Sequence, residues 1–243
     1  MAVAEAALWG FVGGFALVIG ALIGVYLPTS QRLIGLVMAF GAGVLISALA
    51  FELTDEAYDR GGVVAVALGL AAGSVSFFVA DWIVDHRGGQ HRKRSGGEQS
   101  EGSGTAIVLG ALMDGIPESV AIGVSLLGGG AVGASVVAAV FLSNVPESMS
   151  AATGLQKAGK SPAYILGLWA AVLAASTLAS VLGYAFLGGA SGDTIAAIQT
   201  FAAGAILTML ADTMMPEAFE HGGPVVGLLT VLGFSSAFLL SRL

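Results

Sequence analysis

The sequence contains no cysteine and few charged residues. None of its 243 residues is cysteine, and only 10% are Asp, Glu, Lys or Arg. The chain therefore has no disulfide, no thiolate metal ligand and no cysteine nucleophile. A soluble domain carries about 25% charged residues. The low charge, together with 56% hydrophobic residues and a mean hydropathy of +0.90, excludes such a domain and predicts a polytopic membrane protein.

Basic residues are also scarce. Nine Lys and Arg stand against 16 Asp and Glu, which gives a net charge of -7. A nucleic-acid-binding surface needs an excess of basic residues, so no nucleic-acid partner is expected. An acidic excess in an apolar chain instead suggests that the protein handles cations.

Apolar runs of membrane-spanning length cover nearly the whole chain. A bilayer core about 30 Å thick needs about 20 apolar residues per helix. The sequence therefore predicts an all-α transmembrane domain over 1–243 that lies in the lipid bilayer. Its eight predicted spans are 5–27, 33–54, 61–84, 105–127, 131–154, 162–188, 194–216 and 223–241.

The orientation follows from the distribution of Lys and Arg, because cytoplasmic loops keep positive charge. With the N-terminus outside, seven basic residues are cytosolic and only Arg60 and Arg242 are outside. We therefore expect an integral plasma (inner) membrane protein with both termini outside. Segment 85–104 is rich in Gly, Ser and charge, and is predicted to be a flexible cytosolic loop. Its His86 and His91 could collect metal, but the preferred interpretation is that they belong to a solvated charged run.

An internal repeat relates two distant segments. Residues 40–62 and 201–223 align without a gap at an offset of 161, with 9 of 23 positions identical. The copies lie on spans 2 and 7, and an odd separation means that they cross the membrane in opposite directions. The pattern predicts an inverted repeat of spans 1–3 and 6–8 around spans 4 and 5. Secondary transporters with such repeats bind substrate near the middle of the membrane.

Spans 4 and 5 carry related motifs, DGIPES at 114–119 and SNVPES at 143–148. In each motif a proline inside the helix frees the backbone carbonyl four residues earlier, at Met113 and Leu142. A glutamate follows each proline directly.

The acidic residues of these motifs are predicted to lie deep in the membrane. At about 1.5 Å per residue they lie roughly 12 to 20 Å from the inner ends of the spans. An ionised carboxylate at the bilayer centre costs about 3 kcal/mol or more, and no span contains a basic residue that could pair with it. We therefore predict an oxygen-rich cation site. The alternative is that the glutamates are protonated and only form hydrogen bonds that hold neighbouring helices together. The predicted metal ligands are Asp114, Glu118, Ser143, Asn144 and Glu147.

Other polar residues could line a path to this site. Glu52 near the outer end of span 2, Asp212 near the inner end of span 7 and the freed carbonyl of Met113 are pathway candidates. A second group of residues at the membrane interface is expected to form a solvated face. This group contains Asp55, Glu56, Asp59, Glu217, Glu220 and His221.

The two Pro-Glu motifs, the polar loop before span 4 and the eight spans together resemble the ZIP (Zrt-, Irt-like protein) family of divalent metal transporters. The resemblance covers nearly the whole chain. It implies uptake of zinc, manganese, ferrous iron or a similar ion toward the cytosol, with the metal as substrate and no cofactor. It also implies a metal site on spans 4 and 5, an elevator-like motion of a helix bundle, and a homodimer.

Matched to the family's span 4 motif, His-Asn-x-Pro-Glu-Gly, Asp114 takes the place of the histidine and Gly115 that of the asparagine. Both motif glutamates remain, at Glu118 and Glu147. The acid that some members carry in span 6 would fall near Ser176, and the His-Glu pair of span 7 is replaced by Asp212 and Thr213. The missing ligands at Gly115 and Ser176 lead us to expect a single metal ion. Loss of histidine favours harder ions such as manganese or ferrous iron, although zinc also binds carboxylates well.

Enzymatic functions find little support in the sequence. An intramembrane metalloprotease needs clustered histidines, but all three histidines lie in predicted loops. A retinal pigment needs a lysine within a span, and a serine hydrolase needs a histidine partner for its serine. We therefore predict that the chain is not an enzyme. The open alternatives are a proton-coupled carrier of another solute and a membrane metal sensor that does not transport.

Overall fold

The computed structural model describes residues 2–89, 95, 104–127 and 130–242. Within these residues the regular structure is helical, which confirms the predicted all-α class for the described part of the chain. The α-helices are α1 (Ala2–Tyr26), α2 (Gln31–Ala48), α3 (Asp55–Val84), α4 (Gly104–Ser125), α5 (Gly130–Lys157), α6 (Pro162–Leu187), α7 (Gly192–Met209), α8 (Met215–Gly222) and α9 (Val226–Leu240). Short π-helical turns cover Leu49–Thr54, Asp85–Gly89 and Leu210–Met214, and a 3-10 turn covers Gly223–Val225.

Serine side chains begin three of the helices. The hydroxyl of Ser30 accepts a hydrogen bond from the Leu33 amide at 3.2 Å, at the start of α2. Ser161 before α6 and Ser191 before α7 act in the same way. Each cap satisfies one backbone N–H that the first helical turn leaves without a partner. These polar caps fix where the apolar helices begin.

Five helical runs among the described residues are long and apolar enough to cross a membrane, which makes the chain a membrane protein. Two of these runs, Gln31–Gly88 and Gly192–Leu240, contain 58 and 49 residues. At about 1.5 Å per residue, each exceeds a bilayer core of about 30 Å at least twofold. The count of eight spans stays a prediction. The five runs are Val3–Tyr26, Gln31–Gly88, Val108–Ser125, Pro162–Leu187 and Gly192–Leu240.

Each of the two long runs is interrupted at a glycine with positive φ, at Gly62 (69°) and at Gly223 (68°). Residues with a side chain rarely adopt this conformation, so glycine is needed where the helix breaks. The two glycines are 161 residues apart, the offset of the sequence repeat. The π-helical turns at Leu49–Thr54 and Leu210–Met214 begin at the same offset. The backbone therefore shows the same sequence of features in both copies.

Glycines also bring the repeated helices together in matching pairs. A Cβ at Gly43 of α2 would lie 2.8 Å from the Phe234 amide of α9, and closer still to the Thr230 carbonyl oxygen. At Gly204 of α7, 161 residues later, a Cβ would lie 2.9 Å from Cα of Leu70 in α3. Helices α2 and α9 therefore pack together as closely as helices α7 and α3. The two contacts lie at corresponding positions of the repeat.

The helices form two packed groups. Helices α1, α4, α5 and α6 pack on one another and share a core that includes Leu17, Leu155 and Trp169; we call them the site group. Helices α2, α3, α7, α8 and α9 form the repeat group, in which α3 packs along α7 and α2 along α9. The groups meet where α2 contacts α5 and α4 contacts α7. Both Pro-Glu motifs thus lie in the site group, on helices that contact the repeat group.

Most of the predicted loop 85–104, including His91, lies outside the described residues. Its described parts are the π-helical turn Asp85–Gly89, the first residue of α4 and Ser95. His86 is exposed, and its Nδ1 hydrogen-bonds the Trp82 carbonyl at 2.7 Å. Ser95 is fully buried.

Candidate functional site

Helix α4 continues through Pro117 and buries the two acids of its motif. Asp114 and Glu118 are each only 1% exposed. They are four residues apart, so both project from one face of the helix. The hydroxyl of Ser119 donates to the Gly115 carbonyl at 2.7 Å, within the same turn. Both acids of the α4 motif are thus enclosed by the protein.

Helix α5 likewise continues through Pro146 and buries Ser143, Asn144 and Glu147. The Ser143 hydroxyl donates to the Val140 carbonyl at 2.9 Å. At about 100° per residue, Glu147 projects about 40° from Ser143 and 60° from Asn144 around the helix axis. The three polar side chains of α5 therefore share one sector of its surface.

The Asn144 amide is oriented by α1. Its Nδ2 donates a hydrogen bond to the Gly13 carbonyl at 3.1 Å. The other end of the amide, Oδ1, is buried and accepts no hydrogen bond within the described residues. A buried acceptor without a donor is costly unless a ligand or water satisfies it. The bond to Gly13 therefore fixes the orientation of the Asn144 amide and leaves Oδ1 as a buried acceptor, while its role as a metal ligand stays a prediction.

Two glycines let neighbouring helices approach the proline kink of α5. A Cβ at Gly41 of α2 would lie 3.2 Å from the Leu142 carbonyl oxygen, which Pro146 frees from helical hydrogen bonding. On the α1 side, Gly20 meets the Val145 carbonyl and the Ser148 hydroxyl in the same way. The motif of α5 is thus enclosed by α1 from its own group and by α2 from the repeat group.

Gly115 and Ser176, the two positions at which the sequence resemblance led us to expect a missing ligand, face each other. A Cβ at Gly115 of α4 would lie 3.1 Å from the Ser176 hydroxyl oxygen of α6, and Ser176 is buried. Small residues therefore fill this contact, and neither of them supplies a carboxylate or an imidazole. This packing agrees with the expectation of a single ion, which stays a prediction.

The carboxylates do not form a compact cluster in this conformation. Within the described residues, no three His, Cys, Asp or Glu side chains are grouped closely enough to hold a metal ion together. A metal site here therefore needs the amide, hydroxyl and carbonyl oxygens of α4 and α5, or a closer approach of the two helices. The predicted ligand set remains a prediction.

Of the pathway candidates, Glu52 lies in a position that suits the role. It is 8% exposed and lines a cavity of about 330 Å³ between α2, α5 and α9. The side chain of Ser135 forms a hydrogen bond with Glu52, and Leu142 lies in the cavity wall. The cavity thus extends from Glu52 to the residue that precedes Ser143 in the chain.

The other two candidates occupy different surroundings. Met113 is partly buried and packs against the larger hydrophobic core. Asp212 is exposed on the π-helical turn after α7 and lies close enough to Asp81 of α3 to interact electrostatically. Asp81 is buried, and the sequence analysis did not single it out.

The prediction of a solvated face is wrong for Glu217, which is only 3% exposed. Its Oε1 accepts hydrogen bonds from the Ser150 hydroxyl of α5 and, at 3.1 Å, from the Ser95 amide. His221 Nε2 lies 3.9 Å from the same oxygen. The sequence does carry a signal for this residue, because Pro216 and Glu217 form a third Pro-Glu pair.

Comparison with known proteins yields a distant relative. No family model matches the chain. The chain is 23% identical over 227 residues to an Arabidopsis thaliana protein named "Putative zinc transporter". The alignment covers 92% of this chain but 36% of the relative, so the chain spans about a third of the length of the protein that it matches. A relative named as a transporter agrees with the prediction that the chain is not an enzyme.

Proposed function

We propose that the chain transports divalent metal cations across a membrane, as a divergent relative of the ZIP family. The substrate ion binds in mid-membrane to the carboxylates Asp114, Glu118 and Glu147, with the oxygens of Ser143 and Asn144. It moves toward the cytosol. The similarity to a plant protein named as a zinc transporter supports metal transport in general.

The observation that carries this proposal is the burial of both Pro-Glu motifs next to an amide oxygen that lacks a donor. Buried carboxylates in a membrane are costly unless a cation or a proton compensates their charge. The Asn144 oxygen has no hydrogen-bond donor in the described part of the chain, although its amide nitrogen is held by Gly13. This arrangement of oxygen atoms suits a bound metal cation, because a cation accepts lone pairs from oxygen.

Binding of the ion would draw the carboxylates of α4 and α5 toward each other. Like charges repel strongly in a medium of low dielectric constant, and a divalent cation between them replaces this repulsion with attraction. The two helices are free to adjust because neither proline provides the hydrogen bond that would stiffen its helix. Metal binding is thus coupled to the distance between α4 and α5.

The ion reaches the site through the cavity that Glu52 lines. A carboxylate at the cavity wall attracts cations, and Leu142, whose carbonyl is freed by Pro146, also lines the cavity. Asp212 and the Met113 carbonyl would line the path between the site and the cytosol. In the proposed topology Glu52 lies on the outer side of the membrane, and Lys157 and Ser95 lie on the cytosolic side.

The proposed topology has eight spans with an inverted repeat around spans 4 and 5. Support comes from the matching glycine breaks, π-helical turns and close helix pairs, all at the 161-residue offset. The site group would move relative to the repeat group, because the site lies where the two groups meet. A homodimer remains an expectation from the family resemblance.

The absence of histidine from the proposed ligand set favours manganese or ferrous iron as substrate. Carboxylate and amide oxygens suit harder ions, whereas imidazole suits zinc, copper and nickel. In a competition assay on the purified protein, we expect zinc to exceed manganese in affinity by much less than it does at a histidine site. Zinc displacing manganese at concentrations orders of magnitude lower would refute this ion preference.

Equilibrium binding of Mn²⁺ to the purified protein tests the ligand set. Glu118→Gln and Glu147→Gln keep the side-chain shape but remove the charge, and we expect each to weaken binding about 100-fold, or about 2.7 kcal/mol. Glu5→Gln is the matched control, because Glu5 is exposed at the start of α1. If all three variants bind Mn²⁺ like the unmodified chain, the proposed site is wrong.

A further inference from the structure

A buried contact joins the two helix groups at the proposed cytosolic end of the molecule. Glu217 of α8 belongs to the repeat group, and its Oε1 accepts a hydrogen bond from the Ser150 hydroxyl of α5 in the site group. Glu217 is 3% exposed, and Ser150 is fully buried. Gly35 near the start of α2 packs against Ala218 and Gly222, which places α8 at the opposite end of α2 from Glu52.

Among the residues that the structure describes, the repeat-related glutamate forms no such bridge. Glu56 lies 161 residues before Glu217, in the same position of the first copy. It accepts hydrogen bonds from Arg60 of α3, whose Nη2 donates at 2.5 Å, and from Gln199 of α7, whose Nε2 donates at 2.9 Å. All three residues belong to the repeat group. The pair of related glutamates thus differs between the two ends of the molecule: one bridges the groups, and the other is held within one group.

Within the described residues, different features lie beside the site at its two ends. The cavity of about 330 Å³ lies on the side of Glu52. On the opposite side, the bridge begins at Ser150, three residues after Glu147 and therefore on nearly the same face of α5. Any displacement of α5 that opens a path from Glu147 toward α8 must break the contact between Ser150 and Glu217.

We propose that the Ser150–Glu217 contact is the cytosolic gate of the transporter, and that the structure represents a state open toward Glu52 and closed toward the cytosol. The inference rests on the proposed function and its orientation. Release of the metal requires that Ser150 leave Glu217.

The absence of cysteine from the chain allows a direct test. In the double variant Ser150→Cys/Glu217→Cys, a short bifunctional thiosulfonate reagent joins the two thiols, and dithiothreitol separates them again. We expect the bridge to reduce Mn²⁺ uptake into proteoliposomes at least tenfold and the reductant to restore it. The matched control is Glu56→Cys/Gln199→Cys, which joins two helices of one group and should leave uptake within twofold.

Two results would overturn the gate. Undiminished uptake after complete bridging would mean that the contact need not open. Equal loss in both pairs would mean that any bridge stiffens the protein, so that Ser150 and Glu217 have no special place.

A labelling experiment decides the question without relying on flux. The single variant Ser150→Cys reacts with a water-soluble maleimide only when the gate is open, and Ser161→Cys, at an exposed position on the same side, calibrates the reagent. We expect slow labelling at position 150 that accelerates several-fold when Mn²⁺ is added. A rate that Mn²⁺ does not change would refute the gate, whereas absence of uptake by the unmodified chain would refute the proposed function.

Discussion

Replacement of Gly43 or Gly204 by alanine tests the matched packing of the two repeat copies. The added methyl at Gly43 would lie 2.8 Å from the Phe234 amide nitrogen, and at Gly204 it would lie 2.9 Å from Cα of Leu70. Ordinary van der Waals contact of a Cβ begins at 3.4 Å, so each helix pair must separate by at least about 0.5 to 0.6 Å. The carbonyl oxygens of Thr230 and Leu70 lie closer still, so they require an even larger displacement of the helices. Backbone atoms cannot rotate away as side chains do.

Overpacking of this kind costs about 1 to 3 kcal/mol, and backbone contacts lie at the upper end. For a chain of this size, about 3 kcal/mol lowers Tm by roughly 6 to 12 °C. The assay is the Tm of the detergent-solubilised protein. Gly167→Ala and Gly227→Ala are matched controls, because their methyl groups would meet nothing within 4 Å. If Gly43→Ala or Gly204→Ala melts within 2 °C of these controls, the close packing of the repeat copies is refuted.

Three further predictions concern the site. Mn²⁺ uptake weakens at acidic pH, because carboxylate ligands must be deprotonated to bind a metal ion, and uptake that is unchanged at a pH below about 4 would contradict this. Asn144→Leu raises the Kd for Mn²⁺ at least about tenfold, since a neutral ligand is lost. The control is Gln199→Leu, which removes another buried amide. Equal effects of the two substitutions would mean that Asn144 does not bind the metal. Ser135→Ala, which takes the hydroxyl from Glu52, raises the KM of uptake without changing the equilibrium Kd, and parallel changes in both would argue against the cavity as the path.

The helical class and the burial of the motif acids could be predicted from the sequence. Apolar runs too long for core helices indicate membrane spans, and the lack of basic residues near Asp114 and Glu118 indicates a buried acidic face. These properties are local to one helix, so composition and spacing suffice. The offset of 161 was also visible before the glycine breaks at Gly62 and Gly223 gave it a backbone counterpart.

The environment of Glu217 could not be predicted in this way. Its position at the end of a span suggested a solvated residue, but α5 covers it and Ser150 donates to it. Such burial depends on which helices pack together, and one sequence does not specify this. The third Pro-Glu pair, with Pro216, was a signal that spacing alone did not connect to the other two. The orientation of Asn144 by Gly13 is likewise a contact between residues 131 positions apart.

Metal uptake into proteoliposomes tests the central claim most directly. The panel contains manganese, ferrous iron, zinc, cadmium, cobalt and magnesium, and it compares the unmodified chain with Glu118→Ala and Glu147→Ala. We predict saturable uptake of a divalent ion that is lost in both variants, with manganese or ferrous iron among the preferred substrates. Absence of flux for every ion while metal still binds would contradict transport and indicate a sensor, and uptake that survives both substitutions would contradict the proposed site.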